Sequence, residues 1–367
     1  MRKIFLFSFL ILLAYSCRKE SSTVIWEKSF DKGNAFFVSS SPDSGILVCG
    51  DINGKPYLAK LSKNRSITAE YSSGRTGIFN AAFYDTSGYT ACGSSNGEML
   101  LARISRNGAR VWDTLIAAGF NIDFTRLCYS GSGSFLAIGT PNPDSSDYSK
   151  AGLLFVRFDT TGQVMLMKEE DEADFIAAGS VLQASSGDIF IALTRRSAGA
   201  DALASVAMYN SGFVRTWETE LYNNPEISSS SHALAADNSG NIYVAGKTQA
   251  TGSSGQLDYS FAASVNSSGN ILWKKYLEDS NSGSALLISD KDVLMVLDRN
   301  CFLVDLITNY NSADNVTVEG LVRMYSVCDS YNTDAFASAF DLYYDGNILA
   351  AGSMGGNFYL ALKSASQ

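Results

Sequence analysis

Chemistry needs groups that move protons, hold metals or grip anions, and this chain is sparing with them. His232 is the single histidine in 367 residues. That excludes histidine-rich metal sites and would rest any Ser–His–Asp relay on one ring. No G-x-S-x-G elbow occurs. GNIYVAGKT (240–248) has the look of a phosphate-gripping loop, but five residues separate its glycines where the motif requires four. No C-x-x-C zinc pair is present, and no Asp-rich loop has calcium-binding spacing. KEEDEAD (168–174) concentrates carboxylates. It could hold a cation or a basic partner; the plainer expectation is a solvated loop kept open by its own charge. His232 opens a predicted strand and could face a channel, although a hydrogen-bonded or solvated role is the ordinary one. No catalytic residue, metal ligand or cofactor is assigned on these grounds.

Three long polar segments are the better functional signal: TPNPDSSDYSKA (140–151), TRRSAGAD (194–201) and KTQATGSSGQLDY (247–259). They are read as loops, and loops on a rigid scaffold are where binding residues concentrate. Tyr148, Arg195, Arg196, Asp258 and Tyr259 are the candidate ligand-binding residues.

The elements that must carry these loops are repeats. One short apolar strand recurs as GILVCG (45–50), GYTACG (88–93), GSFLAIG (133–139), GDIFIAL (187–193), GNIYVAG (240–246), KDVLMVL (291–297) and GNILAAG (346–352). A polar turn precedes most copies, and most are followed by a further strand such as PYLAKL or LLFVRF. Three or four short strands at a period of about 40–50 residues mark β-propeller blades. The expected fold is all-β: a seven-bladed β-propeller of four-stranded blades. The copy around 300–328 is irregular, lacking a tryptophan and a clear turn.

All four tryptophans, Trp26, Trp112, Trp217 and Trp273, fall in the fourth strand of the unit. The last copy ends at residue 367 without a fourth strand. Residues 23–30 (TVIWEKSF) are therefore expected to supply it and close the ring. The spacings Ala102–Gly108–Trp112 and Ala263–Gly269–Trp273, and Ala207–Gly212–Trp217 with its glycine one place early, resemble the tryptophan-docking repeats of quinoprotein-type propellers. The resemblance implies tryptophans packed between blades. The acidic turn residue of that family is absent, so it implies architecture and not quinone chemistry.

The first residues give an address. Arg2 and Lys3 precede an apolar run from Ile4 to Tyr15, and small residues lead to Cys17. This resembles a bacterial lipoprotein signal peptide, which implies cleavage before Cys17 and lipidation of its thiol. The expected organisation is a signal peptide over 1–16, a lipid-anchored tether over 17–22 and one propeller domain over 23–367. The whole resembles envelope lipoproteins of Bacteroidota-like bacteria, which implies an exported protein anchored to a membrane, the outer membrane in particular. Without residues 1–16 the formal charge is 26 − 37 = −11. An acidic chain lacking a basic cluster is a poor nucleic-acid partner, because phosphate neutralisation needs Lys and Arg. Cys49 and Cys92 share a register and are expected to stay unpaired; Cys301 and Cys328 could form a disulfide in an exported chain. The functional expectation is a non-catalytic binding or scaffolding protein that engages an envelope protein or a glycan on the long-loop face. A polysaccharide-active hydrolase or lyase is the alternative.

Overall fold

A computed structural model describes residues 24–141, 152–171, 175–197, 201–221, 228–237, 240–252, 255–277, 283–289, 293–298, 303–308, 323–326, 335–343, 345 and 347–363. Among them there is strand and turn but no helix. The strands are β1 (Val24–Ser40), β2 (Ile46–Ile52), β3 (Lys55–Leu61), β4 (Ile67–Ser72), β5 (Ile78–Asp85), β6 (Gly88–Ser95), β7 (Glu98–Ser105), β8 (Arg110–Ile116), β9 (Phe124–Gly131), β10 (Ser134–Thr140), β11 (Gly152–Asp159), β12 (Val164–Asp171), β13 (Phe175–Gln183) and β14 (Ile189–Arg196). They continue as β15 (Leu203–Tyr209), β16 (Arg215–Glu220), β17 (Ser229–Ala236), β18 (Ile242–Gly252), β19 (Gly255–Val265), β20 (Ile271–Leu277), β21 (Gly283–Ser289), β22 (Val293–Asp298), β23 (Leu303–Thr308), β24 (Arg323–Ser326), β25 (Ala335–Leu342), β26 (Ile348–Met354) and β27 (Asn357–Lys363).

Five antiparallel sheets hold four strands each, in chain order. A sixth runs β25-β26-β27-β1-β2-β3-β4 and divides within β1. Residues 24–32 of β1 pair with β27, and residues 33–40 pair with β2. The irregular copy near residue 300 also forms a four-stranded sheet, β21–β24. Middle strands such as β2, β6, β10 and β14 are buried almost throughout, as continuous apolar runs covered on both faces must be. Fourth strands such as β4 and β16 are only partly covered.

The sheets meet at their outer edges through one repeated device. Among the described residues five outer turns carry the same pair of backbone bonds, for example Gly108 N–H to Ser105 O and Ser105 N–H to Ala109 O. Each places one residue in the left-handed region: Arg65, Gly108, Gly162, Phe213 and Gly269. The fourth strand of the preceding sheet lies on that residue. Trp112 donates its indole N–H to Thr160 O at 3.0 Å, with its ring over Gly162. Trp217 donates to Ser267 O at 3.2 Å, with its ring over Gly269. A Cβ on either glycine would sit about 3.0 Å from the indole. Trp26 meets the guanidinium of Arg65 at 5.8 Å. Each tryptophan follows a one-residue register shift, at Arg103↔Trp112, Met208↔Trp217, Ser264↔Trp273 and Leu362↔Trp26.

Where no tryptophan occupies that register the seam is rebuilt. Ala69 holds the place in β4, and the backbone of Glu70 packs directly against Gly108. In β12 the place is held by Leu166, and Phe213 reaches back from the next turn. Its ring is fully buried, stacks on Phe155 at 5.0 Å between centroids and lies under the Arg157 guanidinium. Sequence spacing put a turn glycine at Gly212; the left-handed residue is Phe213, with φ of 60°.

Two further expectations change. Segment 247–259 is not a loop but the far end of a β-ribbon, in which β18 and β19 stay paired down to Gly252↔Gly255. Residues 168–171 of the acidic run are strand, paired with β11 as far as Gly152↔Asp171. They are not solvated loop, because neighbouring sheets engage them: Lys168 bonds Phe213 O, Glu169 accepts from Gly119 N, and Glu170 faces Arg215. Cys49 and Cys92 are buried free thiols, as expected. Burial raises Cys92 to about 12, which leaves it protonated and inert. Cys17, Cys301 and Cys328 lie outside the described residues or side chains.

Two substitutions test the seam. Trp217→Ala should cost roughly 2–4 kcal/mol, near the lower part of the range for buried aromatics because the ring is only part-buried. Phe213→Gly relieves about 1–2 kcal/mol of left-handed strain but forfeits about 3–5 kcal/mol of ring burial, so it should destabilise. Urea unfolding of both variants checks the signs; a stabilised Phe213→Gly would show that the ring contributes less than the left-handed strain costs.

Candidate functional site

Call the end where the second strand of each sheet turns into the third the rim end. Arg195 and Arg196 finish β14 there. Arg195 leads into an ionic cluster between the β9–β12 and β13–β16 sheets. Its Nε lies 3.3 Å from Glu218 Oε1, which also accepts from Ser205 Oγ at 2.8 Å. Glu218 Oε2 takes Arg215 Nη1 at 2.8 Å, and Arg215 Nη2 lies 3.6 Å from Glu170 Oε1. Two guanidiniums thus face two carboxylates, all largely covered, and the cluster balances its own charge. Tyr209 is buried at its base; burial and then the Glu170 carboxylate push its hydroxyl well above the usual phenol range. A tyrosine in that condition keeps its proton and cannot serve as a base at neutral pH.

The ribbon belongs to the next sheet, on the other side of β13–β16 from this cluster. β17 reaches β18 only as far as Ser229↔Thr248. β18 and β19 continue for four more pairs, Gln249↔Asp258 to Gly252↔Gly255, with no strand flanking them on that side among the described residues. Asp258 and Tyr259 belong to this ribbon; their side chains, and the whole of Tyr148, lie outside what is described. Arg195 is therefore an ion-paired strand residue facing the β9–β12 sheet, and Asp258 and Tyr259 are strand positions at the same rim end in the β17–β20 sheet. His232 is buried, with a ring nitrogen 2.7 Å from Ser230 Oγ. It sits in the bulge between Ser231 and Ala233, where a Cβ on Gly179 would strike its Cα.

Two interior cations were missed by sequence reasoning. Lys60 and Arg103 occupy the register opposite Ala69 and Trp112 and are almost fully buried. Asp43 meets Lys60 at 2.9 Å, and Asp85 meets Arg103 with both oxygens, at 2.7 and 2.8 Å. Burial would raise Asp85, but Arg103 and Ser87 more than offset it and hold its carboxyl below the ordinary value. The signal was present as an Asp in each inner turn, PDSG and DTSG, with a cation in the third strand.

The model for the SBBP β-propeller repeat matches residues 219–252. No curated protein matches the sequence. Among solved structures, the Pan2 WD40 domain of Neurospora crassa is similar with a TM-score of 0.62 at 11% identity, covering 96% of this chain and 98% of that one. Virginiamycin B lyase from Staphylococcus aureus gives 0.62 at 10% identity, covering 92% and 98%. An ulvan lyase bound to -[GlcA(1-4)Rha3S]- gives 0.60 at 9% identity, covering 92% and 95%. At such identities the likeness is one of fold: the chain is a β-propeller.

The lowered Asp85 value gives a signed expectation. A carboxylate whose pKa falls on folding contributes stability above its unfolded value, near 3.9, and loses it as pH drops through the folded value. Asp85→Asn should be less stable than the parent at pH 7, and its further loss between about pH 4 and pH 2 should be shallower. Parallel acid limbs in urea titrations of the two proteins would refute the coupling.

Proposed function

We propose that this chain is an exported, lipid-anchored binding or scaffolding protein whose seven blades form a ring closed by its own N-terminal strand. Its ligand-binding surface is the rim end. The observation that carries the reading is the β18–β19 ribbon, which extends past β17 at the same rim end where β14 finishes with Arg195 and Arg196. A strand pair without a flanking strand presents side chains on both faces and a backbone edge, which suits recognition of a protein or glycan. Tyr148, Arg196, Asp258 and Tyr259 are the contact residues of this reading. Arg195 serves it by fixing the end of β14 through Glu218.

Closure is supported by the division of β1 and by Trp26, which has the register of the other tryptophans and meets an outer turn as they do. Val24 pairs with Lys363, so β1 begins at the outer-turn end, opposite the rim. Six tether residues, 17–22, span at most about 20 Å. A lipid on Cys17 therefore holds the outer-turn end near the membrane and turns the rim into the aqueous compartment.

Single cysteines at Ser197 and Asn64, one at each end, test this on intact membranes with an impermeant thiol reagent. Labelling at 197 and protection at 64 are expected; the reverse pattern overturns the orientation. Removing residues 24–32 should open the edge of β27 and lower stability by several kcal/mol. An unchanged thermal midpoint in the truncated chain would overturn the closure. If the purified chain depolymerises a polysaccharide, the non-catalytic reading gives way to the hydrolase or lyase alternative.

A further inference from the structure

The seam where β1 passes from β27 to β2 differs at the rim end from those after β4 and β8. There a connecting segment arches over the turn of the preceding sheet. Residues 73–77 do so after β4, with Gly77 N–H on Gly54 O at 2.9 Å. Residues 117–123 do so after β8, with Ile122 N–H on Gly97 O at 2.9 Å and Asn121 packed over Gly97. At β1 the equivalent bond exists, Gly33 N–H to Gly356 O at 3.0 Å, but the strand runs straight on and contributes no arch. The space an arch would fill is a cleft of about 490 Å³ lined by Lys32, Gly33, Asn34, Asp51, Asn53, Gly54 and Gly356.

Its floor is polar and under-bonded. Asp51 is 8% exposed. Its two oxygens accept only from Asn34 Nδ2 and Gly54 N, both at 3.3 Å. Charge-assisted bonds to a carboxylate are normally about 2.7–2.9 Å, so Asp51 retains strong acceptor capacity towards the cleft. Asn34 and Asn53 are exposed and can each donate and accept. Beside Gly54 and Gly356 a Cβ would meet nothing, so flat backbone walls the cleft there.

We propose that this cleft is a sugar-binding site, taking the vicinal hydroxyls of a pyranose. Each hydroxyl donates and accepts at once. The Asp51 carboxylate receives the donated protons, and the Asn34 and Asn53 amides and the Lys32 ammonium supply donors in return. A divalent cation fits poorly, because it needs six or more oxygens and the Lys32 ammonium lines the same space. An apolar ligand finds no apolar side chain among the seven lining residues. The cleft lies at the rim end, in the β2–β3 and β26–β27 turns, but shares no residue with the contact set at β14 and β19 and does not depend on the lipid anchor. Because it joins residues of β1 to the β26–β27 turn, a bound sugar also clamps the junction between the first and last strands.

Saturation-transfer NMR of the full purified chain with methyl glucoside, methyl galactoside, methyl mannoside and methyl glucuronide tests it. At least one glycoside should show transfer and raise the thermal midpoint, the rise growing with the logarithm of its concentration above Kd. Asp51→Asn, which keeps the shape, and Asn34→Ala, on an exposed position, should each weaken binding about tenfold or more, the effect of losing a hydrogen bond to a charged or well-placed partner. Arg196→Ala should leave it unchanged. No transfer from any glycoside overturns the proposal. So does equal transfer in Asp51→Asn and Asn34→Ala. Loss only in Arg196→Ala would place the sugar at the contact residues of β14 and β19, overturning the cleft site while leaving the proposed function standing.

Discussion

Everything in this propeller hangs on how one sheet's outermost strand meets the outer turn of the next. Sheets packed face to face bury their middle strands readily, since both faces are apolar. The fourth strand has no fifth to pair with, and its outward edge would stay open. The indole of Trp112 or Trp217 solves this by lying flat on a left-handed turn residue and giving its N–H to a carbonyl of that turn. An aromatic body is buried and its polar handle satisfied in one step. The one-residue register shift before each tryptophan turns the side chain toward that neighbour.

The device constrains both partners, so a change on one side is met by a change on the other. Flat contact with an indole favours glycine, because a Cβ would press on the ring. With Leu166 in place of the indole, the opposing residue is free to grow, and Phe213 fills the seam from the other side. Its unfavourable φ persists because ring burial outweighs the strain. Arg65 is an intermediate case, a left-handed non-glycine whose charged plane itself meets an indole, that of Trp26.

This explains what was legible from residues alone. The repeated GNIYVAG-type strand and the tryptophan spacing exposed the propeller and the pairing of β1 with β27, because each depends on local periodicity. Phe213 was misjudged because a glycine one place away satisfies the usual preference for positive φ, and only packing across the seam decides between them. The acidic run 168–171 was misjudged for a related reason: charge density suggests solvation, but Arg215 comes from the next sheet and the Gly119 amide from the connection after β8. The candidate residues Arg195 and Arg196 were found through segment length, a signal that marks a position without revealing its partners. The cleft at β1 left no motif, since it arises from a connection of zero length.

Charge then bears on what the surface can recognise. The chain carries 28 cationic and 37 anionic side chains. Several of the cations are spent inside the seams: Lys60 on Asp43, Arg103 on Asp85, and Arg215 between Glu170 and Glu218. Arg75 and Arg110 both hold Asp113, at 3.1 and 3.2 Å. Each such pair removes one charge of each sign from the outer field, so the excess of acid in the composition persists while fewer cations remain outside to meet an anion. Long-range attraction of anions is then weak, and short-range hydrogen bonding must select the ligand. Hydroxyl-rich molecules suit such a surface, for they carry no charge to be repelled and offer many donors to carboxylates. The cleft at β1 follows the same logic at small scale: Asp51 is buried without a cation in contact, so its unsatisfied acceptor capacity is directed at whatever enters.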